Sequence, residues 1–320
     1  MANTVEKLVL AAPRGYCAGV DRAVQTVERA LDIHGAPVYV RKEIVHNKHV
    51  VEQLRERGAI FVEEHTEVPE GAVCVFSAHG VAPSVRAGAR ERGLETIDAT
   101  CPLVTKVHRE AARFAEDGYT IVLVGHEGHE EVEGTMGEAP GRIVLVQSEQ
   151  GVDELEIEDS ERVAYVTQTT LAVDETSAII ARLKERFPRI VGPRTDDICY
   201  ATTNRQAAVK QMAGACDLML VIGSRNSSNS VRLVEVARDC GTDAHLIDNA
   251  GEVQEEWLTD RRVVGISSGA SAPENLVKDL VEFFRARGVQ DISEFDVIRE
   301  DVRFMLPKQI REAVAAGEAS

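Results

Sequence analysis

Thr96-Ile97-Asp98-Ala99-Thr100-Cys101-Pro102 reads as the end of a short strand, a turn carrying one cysteine, and the start of a helix. Val104, Val107, Ala111 and Phe114 follow at helical spacing, Thr100 has a capping side chain, and Pro102 suits a first turn, where its missing N–H does no harm. Cys101 is thus expected at a strand tip, facing a helix N-terminus. The same order occurs from Lys7 to Cys17, before a helix over 20–31, and from Asp196 to Cys199, before a helix over 203–212. Three cysteines on strand-to-helix turns organise the rest of the chain.

Working outward from them gives a repeat. After Cys17 come strands over 38–41, 60–62 and 73–76, with polar tips at His46 and His79 and helices over 50–57 and 85–92. After Cys101 come strands over 120–124, 143–146 and 163–166, with tips at Gly125 to Glu131 and at Thr167 to Thr170, and a helix over 174–187. After Cys199 come strands over 218–222, 244–247 and 263–267, with tips at Ser224 to Ser230 and Ser268 to Ser271, and a helix over 276–284 begun by Pro273. The separations Cys17 to His46, Cys101 to His129 and Cys199 to Ser227 are 29, 28 and 28 residues, so position repeats although side-chain identity does not.

The expected architecture is α/β: three similar small domains over 1–93, 94–188 and 189–287, each with a mostly parallel sheet, and a C-terminal tail over 288–320. The tail is expected to hold a short strand near 295–298 and a frayed Ala- and Glu-rich end. Parallel sheets gather ligand groups at the carboxyl ends of their strands. Three such edges facing one point would bring one cysteine from each domain to a central site.

Composition excludes several partners. The chain has 320 residues, 53 acidic and 36 basic, for a formal net charge of -17, which opposes nonspecific binding to nucleic acid or an anionic membrane. No apolar run reaches the roughly 18 residues a bilayer span needs, and Met1 to Lys7 lacks the pattern of a secretion signal. The expected location is the cytoplasm. In a reducing compartment six widely spaced cysteines read as thiols, metal ligands or catalytic groups, not as a disulfide framework.

Cys17, Cys101 and Cys199, one from each domain, suit a metal site with three thiolates and an open fourth position, filled by iron–sulfur or by zinc with a water. No Cys-x-x-Cys occurs, and Cys74, Cys216 and Cys240 read as ordinary packing residues. His46, His79, His129, Ser227, Ser228, Asn229 and Ser271 form a phosphate-cradle inventory without lysine or arginine. Glu131, beside His129, is the one carboxylate of these tips suited to moving protons; as an ordinary group it would be an acidic first turn. Gly125-His126-Glu127-Gly128 is not a dinucleotide fingerprint.

Pro13 to Ala23, Asp98 to Pro102, Gly125 to Gly137, Val166 to Thr170, Asn226 to Ser230 and Gly269 to Pro273 together resemble the IspH/LytB family, the hydroxymethylbutenyl diphosphate reductases. The resemblance covers the chain from about Leu8 to Pro307. It implies a pseudo-threefold trefoil around one 4Fe-4S cluster ligated by Cys17, Cys101 and Cys199, with the fourth iron free of protein. It implies diphosphate binding by His46, His79, Ser227, Ser228, Asn229 and Ser271, contacts of His129 and Thr169 with the substrate hydroxyl, and proton delivery by Glu131. The implied reaction is reductive dehydroxylation of 4-hydroxy-3-methylbut-2-enyl diphosphate to isopentenyl and dimethylallyl diphosphate, the last step of the methylerythritol phosphate route. Two electrons from a ferredoxin or flavodoxin and two protons would enter there. Tyr16 and Glu130 stand where the family often has Phe and Pro.

Two other classes use some of the same residues. An iron–sulfur carrier or redox sensor needs the cysteines but not the polar tips. A zinc hydrolase of a phosphorylated substrate would use Glu131 as base, yet three thiolates quench Lewis acidity more than histidines do.

Overall fold

The computed structural model describes residues 5–318. The chain begins with β1 (Lys7–Ala12), α1 (Ala18–His34), β2 (Val38–Arg41), α2 (Lys48–Glu56), β3 (Ala59–Val62), β4 (Val73–Phe76), α3 (Pro83–Glu91) and β5 (Glu95–Asp98). It continues through α4 (Pro102–Glu116), β6 (Thr120–Val124), α5 (Glu130–Met136), β7 (Ile143–Val146), α6 (Glu149–Asp153), β8 (Val163–Thr167) and α7 (Val173–Arg186). The last part holds α8 (Tyr200–Ala213), β9 (Leu218–Ile222), α9 (Ser228–Asp239), β10 (Asp243–Ile247), β11 (Val263–Ser268), α10 (Glu274–Arg285), β12 (Asp291–Asp296) and α11 (Lys308–Glu318).

The fold is α/β with three sheets, in the orders β10-β9-β11-β1-β12, β3-β2-β4-β5 and β7-β6-β8. All their strand pairs are parallel, as the repeat led one to expect. The patterning explains why the strands read as almost continuous apolar runs: both faces are covered. In β6, Ile121 and Leu123 pack with Val107, Ala111 and Phe114 of α4, whereas Val122 and Val124 pack with Ile179 and Leu183 of α7. In β9, Leu218, Leu220 and Ile222 meet Leu276, Leu280 and Phe284 of α10, while Met219 and Val221 meet Met212 of α8 and Leu233 of α9. Alternate side chains take opposite faces, so β6 and β9 are each held between two helical layers.

Sheet membership follows a rule that local patterning does not show. β1, which leads to Cys17, lies between β11 and β12, with Lys7 opposite Val263 and Asp291. β5, which leads to Cys101, pairs with β4, Val73 lying opposite Glu95. The stretch that leads to Cys199 keeps one parallel bridge, Val191 with Ala164 of β8. Each cysteine is therefore delivered by the sheet of the repeat before it, the third repeat preceding the first. By contact the chain groups into two compact units. One comprises the chain up to Ala18, His46–Val50 and Tyr200–Arg303; the other comprises Gly19–Val45, Val51–Cys199 and the chain from Phe304.

Three local expectations change. Thr100 does not cap α4: its N–H and its hydroxyl both bond Asp98 Oδ1, and Cys101 takes the N-cap position with Pro102 inside the first turn. The strand expected near 295–298 is β12, five residues of which precede Asp296 along β1. The Ala- and Glu-rich end belongs, as far as Glu318, to helix α11, whose start is anchored by buried Ile310 and by Gln309 Nε2, which donates to the Thr96 carbonyl.

Candidate functional site

The amide of each tip cysteine is tied to a carbonyl at a neighbouring strand tip. Cys17 N–H donates to Ala270 O at 3.2 Å, Cys101 N–H to Ala78 O at 2.9 Å, and Cys199 N–H to Thr169 O at 3.1 Å. The same bond thus recurs at three equivalent places, beside Ser271, beside His79 and at Thr169 itself. None of the six cysteines is in a disulfide. Cys74 and Cys216 are buried, and burial pushes both thiols up to about 11, which disfavours the thiolate that a metal requires. Cys17, Cys101 and Cys199 are half-buried at the ends of sheet strands or of the stretch bridged to β8. Burial therefore sets Cys74 and Cys216 apart from the three turn cysteines as candidate donors to a soft metal.

In the unit that contains Cys101 and Cys199, the tips of β6 and β8 build an acid site. His129 is the N-cap of α5, and its Nδ1 accepts the Glu131 N–H at 3.2 Å. An accepting Nδ1 fixes the neutral ring as the tautomer with its hydrogen on Nε2. Glu131 is 2 % exposed. Its carboxylate accepts the Thr169 N–H at 2.7 Å and the Thr169 hydroxyl at 3.0 Å. Burial pushes its pKa up to about 7, against the pull of both Thr169 bonds and of His108. A carboxyl so placed holds a proton near neutrality, as a general acid must. Thr169 joins this acid to a ligand candidate, since its carbonyl is the one that anchors Cys199.

At the tip of β4, the Glu130 Oε2 lies 3.2 Å from His79 Nδ1 and accepts the Ser77 hydroxyl at 3.2 Å. The His79 and His129 rings meet edge to face, 5.7 Å between centroids. The bond Cys101 N–H to Ala78 O places Cys101 beside this same tip.

The other unit holds Cys17 with the remaining polar residues. Ser227, Ser228 and Asn229 start α9, a twelve-residue helix, with Ser227 as N-cap. Ser271 Oγ donates to the His46 carbonyl at 2.9 Å and lies 3.5 Å from Ser227 Oγ. Asn229 Oδ1 accepts the Ala270 N–H at 2.9 Å and its amide donates to Thr202 Oγ1 at 3.1 Å, so much of this side chain's bonding braces the β11 tip. Ala270 also receives Cys17, which links the cysteine to the cradle. Two glycines permit this closeness: a Cβ on Gly223 would lie 2.2 Å from Ser230 Oγ, and one on Gly269 would lie 2.0 Å from it. Gly269→Ala is expected to lower unfolding stability by about 1–3 kcal/mol in denaturant titration, since Ser230 bonds Ser227 and cannot yield without moving the cradle.

Lys106 and Asp197 were not singled out by sequence. The Lys106 ammonium reaches Asp197, Thr195 and Asp196 across 89 to 91 positions, a separation that leaves no local pattern. Glu130, which stands where the family often has Pro, has its partner His79 at a separation of 51 positions.

The family model described as LytB protein matches residues 8–285. The chain belongs to the LytB family. A LytB relative from Nocardia farcinica, named 4-hydroxy-3-methylbut-2-enyl diphosphate reductase, is 59% identical over 311 residues, covering 97% of this chain and 93% of its own length. Among solved structures, the E-1-hydroxy-2-methyl-but-2-enyl-4-diphosphate reductase of Plasmodium falciparum superposes with a TM-score of 0.95 at 37% identity, covering 98% of this chain and 99% of that one. A second, described as (E)-4-hydroxy-3-methyl-but-2-enyl diphosphate reductase, the terminal enzyme of the non-mevalonate pathway, has a TM-score of 0.64 at 32% identity and covers 88% of this chain and 100% of that one. The LytB fold therefore spans both compact units of the chain.

Proposed function

We propose that this chain reduces 4-hydroxy-3-methylbut-2-enyl diphosphate to isopentenyl and dimethylallyl diphosphate, the last step of the methylerythritol phosphate route, with two electrons and two protons. The observation that carries the reading is Glu131: a buried carboxyl with a proton near neutrality, bonded to the residue that anchors a candidate cluster ligand. An electron carrier needs no such acid, and reductases of this substrate are the relatives.

Cys17, Cys101 and Cys199 are the residues that would hold a 4Fe-4S cluster, and they fit one as three soft donors at equivalent anchored turns. When bound, the cluster would supply the electrons and a Lewis-acid position. The diphosphate is assigned to His46, His79, Ser227, Ser228, Asn229 and Ser271. Ser227, Ser228 and Asn229 offer neutral hydroxyl and amide donors at the start of α9, whose N-terminal dipole favours an anion, and the Ser271 hydroxyl, after β11, lies 3.5 Å from that of Ser227. That suits a chain whose net charge of -17 would otherwise repel the ligand. His129, with its hydrogen on Nε2, is a donor toward the substrate hydroxyl, as is Thr169. Glu131 gives its proton to the departing oxygen, which leaves as water. The electron donor is assigned as a ferredoxin or flavodoxin, and the location as the cytoplasm; no helix among the described residues is long and apolar enough to cross a membrane.

The test is anaerobic. Reduced viologen dye should be reoxidised by the purified protein when 4-hydroxy-3-methylbut-2-enyl diphosphate is added, and the two five-carbon diphosphates should accumulate. An iron–sulfur-loaded protein that leaves the dye reduced in the presence of that substrate would overturn the assignment.

A further inference from the structure

The stretch that delivers Cys199 has little regular structure of its own. After the bridge at Val191 it runs irregularly to the start of α8 at Tyr200. Its anchors are instead polar. The Lys106 ammonium, on α4, donates to the Thr195 carbonyl at 2.6 Å, the Asp196 carbonyl at 2.9 Å and Asp197 Oδ1 at 3.0 Å. An ammonium has three hydrogens, and here each has an acceptor, on three consecutive residues. The other Asp197 oxygen accepts the Thr167 N–H at 2.9 Å, at the end of β8. The Asp197 side chain is fully enclosed, and Glu110, one turn further along α4, lies 3.8 Å from the ammonium. Cys101 is the N-cap of the same helix α4.

We propose that Lys106 and Asp197 are positioning residues: they bracket the Cys199 turn between α4, which Cys101 starts, and β8, and so set how firmly the chain retains its iron–sulfur cluster. This rests on the reading of Cys101 and Cys199 as ligands. Backbone curled around one ammonium has two carbonyls aimed at a point, and no uncharged side chain of similar length reproduces that. With the bracket in place, Cys199 is fixed from both sides, by Lys106 two residues before it and by its own amide on Thr169. Without Lys106 the turn keeps the Thr169 bond, the Asp197 bond to Thr167 and the packing of Ile198 but loses its tie to α4, and a metal ligand on a loosened turn binds more weakly. Residues that orient ligands in this way typically change metal retention by about 10- to 100-fold when removed.

The experiment compares the parent, Lys106→Met, and the double variant Lys106→Met with Asp197→Asn. All are purified anaerobically. Iron and labile sulfide per chain are measured, then the decay of visible absorbance on exposure to air. Thermal unfolding of each apoprotein reports the fold separately. The expected result is loss of the chromophore about tenfold faster or more in both variants, with the double variant's apoprotein melting close to the parent's. Lys106→Met leaves Asp197 buried and unpaired and can fail to fold; the double variant removes both charges together and carries the test. Retention at the parental rate in a folded variant overturns the bracket while leaving the ligand assignment standing. A double variant whose apoprotein melts far below the parent's overturns it too, because the pair then holds the fold and not the turn. A parent that carries neither iron nor sulfide overturns the ligand assignment beneath it.

Discussion

Cys101→Ser is expected to give a folded protein that has lost its iron and sulfide and turns over 4-hydroxy-3-methylbut-2-enyl diphosphate at least ~10²-fold more slowly. The fold survives for a specific reason. Cys101 is the N-cap of α4 but makes no side-chain cap bond, and serine is among the residues best suited to that position. Its backbone bond to the Ala78 carbonyl is untouched by the exchange. What disappears is a thiolate, replaced by a hydroxyl that is a poor donor to soft iron. Cys240→Ser provides the contrast: Cys240 is exposed at the C-cap of α9, at the opposite end of that helix from Ser227, and its loss should leave iron content and turnover at parental values. Iron and sulfide assays with the dye-linked rate decide it. Full retention of both in Cys101→Ser would remove Cys101 from the ligand set.

The strands and their polar tips were legible because the apolar runs of β4, β6, β8, β9 and β11 end abruptly in Gly, Ser or Thr, and because the spacing from each cysteine to the first polar tip repeats within one residue. Sheet membership was not. A repeat fixes the order of elements along the chain, but nothing within Lys7 to Ala12 says that its neighbours are Val263 and Asp291. Thr100 illustrates a local failure: Asp98, two residues earlier, competes for both its N–H and its hydroxyl and wins, so the cap falls to Cys101. Among site residues, Glu131 stood out as a carboxylate at a tip. Its chemistry, however, depends on Thr169, 38 positions away, which closes over it. The Lys106 bracket has no sequence signature at all, since an ion pair over 91 positions looks like two surface charges until the turn folds back.

Glu131→Gln is expected to lower kcat by ~10²- to 10⁴-fold while iron content, visible absorbance and KM change little. Glutamine keeps the shape of the side chain. Its carbonyl can still accept the Thr169 N–H, and its amide can donate to the Thr169 oxygen, so the bonds at 2.7 and 3.0 Å have equivalents. The only thing removed is the transferable proton. The pH dependence follows from burial, which holds the carboxyl at about 7 instead of 4.5. The acid is available below pH 7 and depleted above it, so kcat of the parent should fall on the alkaline side, and Glu131→Gln should lack that limb. Stability of the parent falls in the same direction. Because the folded value is raised, the native state binds this proton more tightly than the unfolded chain does. The resulting contribution is complete below pH 4.5 and lost as pH rises through 7, on the order of 3 kcal/mol by the alkaline end. Glutamine carries no charge to desolvate at any pH. The variant should therefore melt above the parent at pH 8 and with it near pH 4.5. A slower enzyme whose stability advantage grows from pH 4.5 to pH 7 and then levels off is what a buried catalytic acid predicts, whereas a merely structural glutamate would cost stability when replaced and leave the alkaline limb of the rate in place.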